Sequence, residues 1–87
     1  MYIVILNNKV KKKYEHLDEK NFKRLHDLFS HLETHPYPAE EYDFVKLSGM
    51  NDCYRIRIGD FRLSYYVDTT NNTIKVFEFE RREKAYK

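Results

Sequence analysis

The chain opens on an unbroken apolar run, Tyr2-Ile3-Val4-Ile5-Leu6, rich in β-branched residues and closed by Asn7-Asn8. Such a run without helical spacing predicts a buried strand. Lys9 to His16 then reads as a short basic helix with Val10 and Tyr14 at i and i+4. Leu17 is the break, and Asp18 is placed to cap a longer helix whose first turn holds Glu19. In that helix Phe22, Leu25, Leu28, Phe29 and Leu32 fall at spacings of three and four, one apolar stripe. His35-Pro36-Tyr37-Pro38 ends it, because the residue before a proline is biased away from helical geometry, and the loop runs on to about Tyr42.

Past this loop the period changes to two. Phe44-Val45-Lys46-Leu47 is a short extended segment, and Ser48 to Asp52 turns the chain into Cys53-Tyr54-Arg55-Ile56-Arg57-Ile58. Gly59-Asp60 then separates that run from Phe61-Arg62-Leu63-Ser64-Tyr65-Tyr66-Val67, as a two-residue hairpin turn with glycine first. In this register Ile58 pairs with Phe61 and Arg57 lies opposite Arg62. Tyr54, Ile56, Ile58, Phe61, Leu63, Tyr65 and Val67 share the core-facing parity; Arg55, Arg57, Arg62, Ser64 and Tyr66 share the other. Asp68 to Asn72 makes a second polar turn. Thr73 to Phe79 is the last strand, with Ile74 and Val76 on one face and Lys75, Phe77 and Phe79 on the other, followed by a charged tail from Glu80 to Lys87. The expected fold is α+β: an antiparallel sheet of four to five strands with an N-terminal helical hairpin packed on one face, in a single domain over residues 1–87.

Composition narrows the partners. The 87 residues carry 16 basic and 14 acidic side chains, +2 overall, and the excess lies in the second half, where nine basic residues meet six acidic ones. A modest local excess suits a shaped anion site better than nonspecific attraction to nucleic acid. The single cysteine, Cys53, excludes an intramolecular disulfide, Met1 to Leu6 is too short to span a bilayer, and nothing reads as a signal peptide, so the expected location is cytoplasmic, away from membranes.

Like charges directly opposite on paired strands repel, so Arg57 and Arg62 need either neighbouring carboxylates or an external anion such as phosphate. Arg55, Arg57 and Arg62 on one surface, joined by Arg81, Arg82 and Tyr86 from the tail, suit a polynucleotide: guanidinium forks bind phosphate and a ring stacks on a base. Glu78 and Glu80 could instead tie those arginines into a solvated ladder of ion pairs, and the residues alone leave both readings open. His31 and His35 have metal-ligand spacing, but no third ligand of matching geometry accompanies them, and they read as solvated helix-surface histidines. Cys53 has no histidine near it in sequence and reads as a half-buried strand thiol. The lysines of Lys9 to Lys13 form a basic cluster that could add an electrostatic contact to RNA, although a solvated helix face is the commoner explanation.

Lys46-Leu47-Ser48-Gly49-Met50, the hairpin from Cys53 to Tyr65, and Glu80-Arg81-Arg82-Glu83-Lys84-Ala85-Tyr86 together resemble the RelE family of toxin–antitoxin ribonucleases. The resemblance implies a metal-independent endoribonuclease, without cofactor, that cleaves messenger RNA in the ribosomal A site until a cognate RelB-like antitoxin binds it in a hetero-oligomer. It implies catalytic roles for Arg57, Arg62, Arg81 and Tyr86: Arg62 clamping the transition-state phosphate, Arg81 assisting the leaving group and Tyr86 stacking on a base. Arg55, Arg82, Lys46 and Lys84 would bind RNA. Arg55 and Arg57 stand where the best-known members carry lysines, which casts Arg57 as a second clamp and leaves Glu80 or Glu83 as candidate bases, since arginine does not readily give up its proton. Two alternatives stay open, a ParE-like inhibitor of DNA gyrase and a weakened toxin acting as a binding module.

Overall fold

The computed structural model describes residues 1–81. Its order is β1 (Ile3–Leu6), α1 (Asn8–Glu15), α2 (Glu19–Leu32), β2 (Asp43–Lys46), β3 (Cys53–Ile58), β4 (Phe61–Asp68) and β5 (Thr73–Arg81), with the sheet arranged β1-β5-β4-β3-β2. The candidate residues Arg82, Glu83, Lys84 and Tyr86 lie outside the described residues. No helix among those described is long and apolar enough to cross a membrane.

Each helix starts where a side chain satisfies one of its free amides. Asn7 accepts from the Val10 amide at 2.8 Å and Asp18 from the Asn21 amide at 3.2 Å. The stripe on α2 is buried as its spacing dictates: Leu25, Leu28 and Leu32 are fully enclosed against Ile56, Leu63, Tyr65, Val67, Ile74 and Val76. Each enclosed leucine contributes about 1.5–3 kcal/mol of transfer free energy, so this layer holds the helices to the sheet. Phe22 lies partly outside it and stacks on Tyr14 of α1 at 4.5 Å, joining the two helices.

The β3–β4 hairpin has the expected register, with Ile58 against Phe61 and Arg57 against Arg62. Gly59 takes φ +58° in the turn, and a side-chain carbon there would collide with the Arg24 guanidinium of α2. Only glycine satisfies both the left-handed backbone and that close approach.

Three features depart from the alternation read in the sequence. β1 is not a buried strand: it is an edge strand running parallel to β5, Ile3 against Thr73 through Leu6 against Val76, with Ile3 and Ile5 exposed. The helices cover one face only, so alternate residues of β1 look outward. The rest of the sheet is antiparallel. The second departure is a bulge, in which Ser64 pairs with Glu78 but Tyr65 pairs with Val76, leaving Phe77 as an extra residue in β5. Parity therefore reverses along β5. Phe79 is not opposite Ile74 and Val76 but joins them in the core, where its ring stacks on Phe61 at 5.0 Å, while Phe77 is exposed. Third, β5 continues two residues beyond Phe79, through Arg81.

α1 closes the edge that β1 leaves open. β1 pairs with β5 only as far as Val76, and beyond it Asn7 Nδ2 donates to the Phe77 carbonyl at 3.4 Å and Lys13 Nζ to the Phe79 carbonyl at 3.2 Å. Side chains thus satisfy backbone acceptors that a neighbouring strand would otherwise take.

Candidate functional site

The face of the sheet away from the helices carries the hairpin arginines, and each has a different fate. Arg57 lies across from Asp43 of β2, which accepts from its Nε at 2.9 Å and sits 2.9 Å from its Nη2. Both side chains are half exposed, so this ion pair is screened by water. Arg55 is held further in. Its Nε donates to Ser64 Oγ at 3.1 Å and its Nη2 to Glu78 Oε1 at 3.1 Å, while the fully buried Ser64 hydroxyl donates to the same Glu78 oxygen at 2.7 Å. The Ser64 hydrogen bond, followed by the hydrogen bond and charge of Arg55 and the charge of Arg62, holds the Glu78 carboxyl below its usual range against the opposing effect of burial. Glu78 is therefore a poor proton acceptor and a good counter-ion.

Arg62 occupies the middle. It pairs through the backbone with Arg57 on one side and Glu80 on the other. Its Nε is buried without a hydrogen-bond partner, and among the described residues no carboxylate comes within ion-pair distance of it. Glu80, the register neighbour that could have answered it, is turned to Lys13 of α1 at 3.0 Å. Arg57 is thus paired with Asp43, Arg55 with Glu78 and Lys13 with Glu80, and of the three hairpin arginines Arg62 alone has no ion pair among the described residues. A half-buried guanidinium with a donor unsatisfied is costly unless it meets an anion, and a phosphate oxygen matches its fork geometry.

Not every candidate joins this face. Arg81 pairs with Phe61, its guanidinium lies 4.6 Å over the Phe61 ring, and its Nη1 is 3.9 Å from Asp60 Oδ2, all at the end of the sheet on the helical side. The bulge at Phe77 produces this separation, since it shifts Phe79 and Arg81 together to the core-facing parity of Ile74 and Val76. Lys46 pairs with Tyr54, whose ring stacks on Phe44 at 5.2 Å, so its register position also belongs to the helical side. The structure brings Arg55, Arg57 and Arg62 together and sets Arg81 and Lys46 apart from them. Sequence reasoning missed Asp43 altogether, and it placed Ser64 on this face without its hydrogen bonds to Arg55 and Glu78. Asp43 could have been found by extending the β2 segment one residue toward the N-terminus, which places it opposite Arg57.

The remaining reactive side chains have structural settings. Burial, with Asp52 adding to it, pushes the Cys53 thiol up, which disfavours a nucleophilic thiolate. His31 is not solvated as the sequence suggested: its ring stacks on His35 at 4.5 Å and meets Tyr42 edge-on at 5.7 Å. No group of three potential metal ligands occurs among the described residues.

The architecture is that of a small α+β protein, a two-helix layer on a mostly antiparallel five-stranded sheet, and comparison with known proteins gives the family. Residues 4–86 match the model of the ParE toxin of type II toxin–antitoxin systems. A Methanocaldococcus jannaschii protein named as a candidate RelE1 toxin is 37% identical over 84 residues, covering 97% of this chain and 93% of its own. The archaeal RelE–RelB complex of Pyrococcus horikoshii superposes with a TM-score of 0.85 at 32% identity, over 95% of this chain and 97% of that one. The intact Escherichia coli RelBE complex shares the fold, with a TM-score of 0.78 at 22% identity over 95% of this chain and 99% of that one. The chain belongs to the RelE/ParE superfamily of type II toxins, and within it is a RelE-like toxin.

Proposed function

We propose that this chain is a ribosome-dependent endoribonuclease that cuts messenger RNA in the A site and is neutralised by a RelB-like antitoxin. The carrying observation is Arg62, a half-buried guanidinium without an ion-pair partner among the described residues, beside two hairpin arginines that are each paired with a carboxylate. The reaction needs a ribose 2′-oxygen to attack the adjacent phosphorus as its proton departs, while the bond from phosphorus to the 5′-oxygen breaks and that oxygen gains a proton. The products are a 2′,3′-cyclic phosphate and a 5′-hydroxyl. Charge builds on the non-bridging oxygens, and Arg62 is suited to meet it, with Arg57 joining once it exchanges Asp43 for the phosphate.

Arginine does not accept the 2′-OH proton at neutral pH, and Glu78 is occupied by Ser64 and Arg55. Catalysis through Arg62 is therefore mainly positioning and electrostatic stabilisation, with Glu80, its register partner on β5, the candidate base once Lys13 releases it. Arg81 and Tyr86 retain the leaving-group and base-stacking roles in this proposal, which for Arg81 requires the substrate to pass around the end of the sheet. The RelE names of the relatives at 37% and 32% identity support RNA cleavage over gyrase inhibition, and the P. horikoshii complex with RelB supports an antitoxin partner.

Induced expression separates the readings. The proposed activity gives translation arrest with new 5′-hydroxyl ends in messenger RNA. Gyrase inhibition gives DNA damage with translation at first intact, and a binding module gives neither.

A further inference from the structure

The bulge in β5 delivers an aromatic ring to the charged face. Every other phenylalanine has an aromatic neighbour: Phe22 with Tyr14, Phe29 with Tyr14, Phe44 with Tyr54, and Phe61 with Phe79. Phe77 has none among the described residues and is 38% exposed, at the one β5 position left out of the ladder with β4. An extra residue that turns an apolar ring outward gains nothing for the core. Bulges recur where a side chain must be re-aimed for function.

The surroundings of Phe77 select the ligand. It lines a cleft of about 410 Å³ together with Met50, Arg55, Lys9 and Lys13, and with Glu78 and Glu80. Both carboxylates are engaged, Glu78 by Arg55 and Glu80 by Lys13, so the cleft retains a positive excess through Lys9. An exposed ring and a thioether within a cationic rim suit a planar, weakly polar group carried on an anionic chain. Single-stranded RNA has that composition, whereas a purely apolar peptide helix would bury these charges without partners. The cleft is also contiguous with the arginine face through Arg55, which is hydrogen-bonded to the strand neighbour of Glu78, Ser64. Ser64 and Arg62 are two residues apart on one strand, roughly 7 Å. That spacing allows a base beside Phe77 to belong to a nucleotide next to a phosphate at Arg62.

We infer that Phe77 is the floor of a nucleobase subsite, walled by Met50 and the α1 lysines, which receives a base of the single-stranded RNA whose phosphate Arg62 binds; this rests on the ribonuclease reading and adds a position to it. Stacking on such a ring is sequence-tolerant, so the subsite supplies affinity and register more than base choice.

The test uses a short 2′-O-methyl RNA, which cannot be cleaved, carrying 2-aminopurine, titrated with the full-length toxin. Phe77→Leu is expected to weaken binding on the order of tenfold, to leave the slope of log affinity against log salt unchanged, and to remove the stacking quench of the 2-aminopurine. Phe77→Trp, which keeps a ring, is expected to restore both affinity and quench. Arg62→Ala should instead flatten the salt slope by about 0.7. Wild-type affinity in Phe77→Leu, or failure of Phe77→Trp to restore the quench, while Arg62→Ala still weakens binding, overturns the subsite alone. Absence of binding by the wild type overturns the subsite and the ribonuclease reading together. Weakened antitoxin binding by Phe77→Leu with RNA binding intact would assign the cleft to a protein partner and overturn the inference.

Discussion

Arg57 and Arg62 stand opposite each other on β3 and β4, and only Arg57 is answered: Asp43 Oδ2 lies 2.9 Å away, whereas the Nε of Arg62 is buried without a partner. Two like charges held in register, of which only one is met by a carboxylate, favour binding of an anion. Because Arg62 makes no ion pair among the described residues and its charge is only the smallest of the influences on Glu78, Arg62→Ala should change the unfolding free energy by no more than about 1 kcal/mol. Cleavage should fall by about 10²–10³-fold, the usual cost of losing a transition-state charge donor. Urea unfolding and single-turnover kinetics on the same preparations check the two halves of this expectation.

Asp43 competes with RNA for Arg57. Removing the competitor with Asp43→Asn spares Arg57 that exchange and should tighten binding of an uncleavable RNA a few-fold. Fluorescence anisotropy at fixed salt reads the change. Unchanged affinity would mean that Arg57 does not reach the backbone.

Ser64 ties Arg55 to Glu78 from a position with no solvent access. Ser64→Ala removes a hydrogen bond to a charged acceptor and should cost about 1–2 kcal/mol at neutral pH. The pH dependence follows from the lowered Glu78 pKa. A carboxyl lowered by folding contributes stability that is present above the ordinary carboxylate range and is lost as pH falls through the folded value. Ser64→Ala brings Glu78 back toward its ordinary range, so the variant should lose less stability on acidification than the wild type. Urea unfolding at about pH 7 and about pH 3, on either side of the ordinary glutamate value, measures the difference.

Gly59 is held by its backbone and by Arg24 together. Gly59→Ala should destabilise by about 1–2 kcal/mol from the left-handed backbone alone, and Arg24→Ala in the same chain should recover the part due to the collision. A thermodynamic cycle over the four proteins separates the two.

The sequence was legible where local chemistry decides geometry. Gly59-Asp60 between two alternating runs was enough to pair Arg57 with Arg62, and the stripe from Leu25 to Leu32 was enough to bury α2. It was illegible where a single residue breaks a period. Strict alternation cannot reveal that Phe77 is skipped by the ladder, so it puts Phe79 on the outer face and Arg81 with the hairpin arginines, whereas both lie on the helical side. The partners of the arginines were also hidden. Counting along β5 suggests Glu78 and Glu80 for all three, but Glu80 is drawn to Lys13 by α1 closing the β5 edge, and Arg57 is met by Asp43 from the opposite side. Parallel pairing of β1 with β5 joins the two ends of the described chain, a contact that no short window contains.

The most direct measurement programs ribosomes with a defined messenger RNA, adds wild type or Arg62→Ala, and analyses the ends of the cut. The account expects the wild type to yield a 2′,3′-cyclic phosphate and a 5′-hydroxyl, and a folded Arg62→Ala to yield almost none. Equal cleavage by the two proteins, or 5′-phosphate ends, would contradict it.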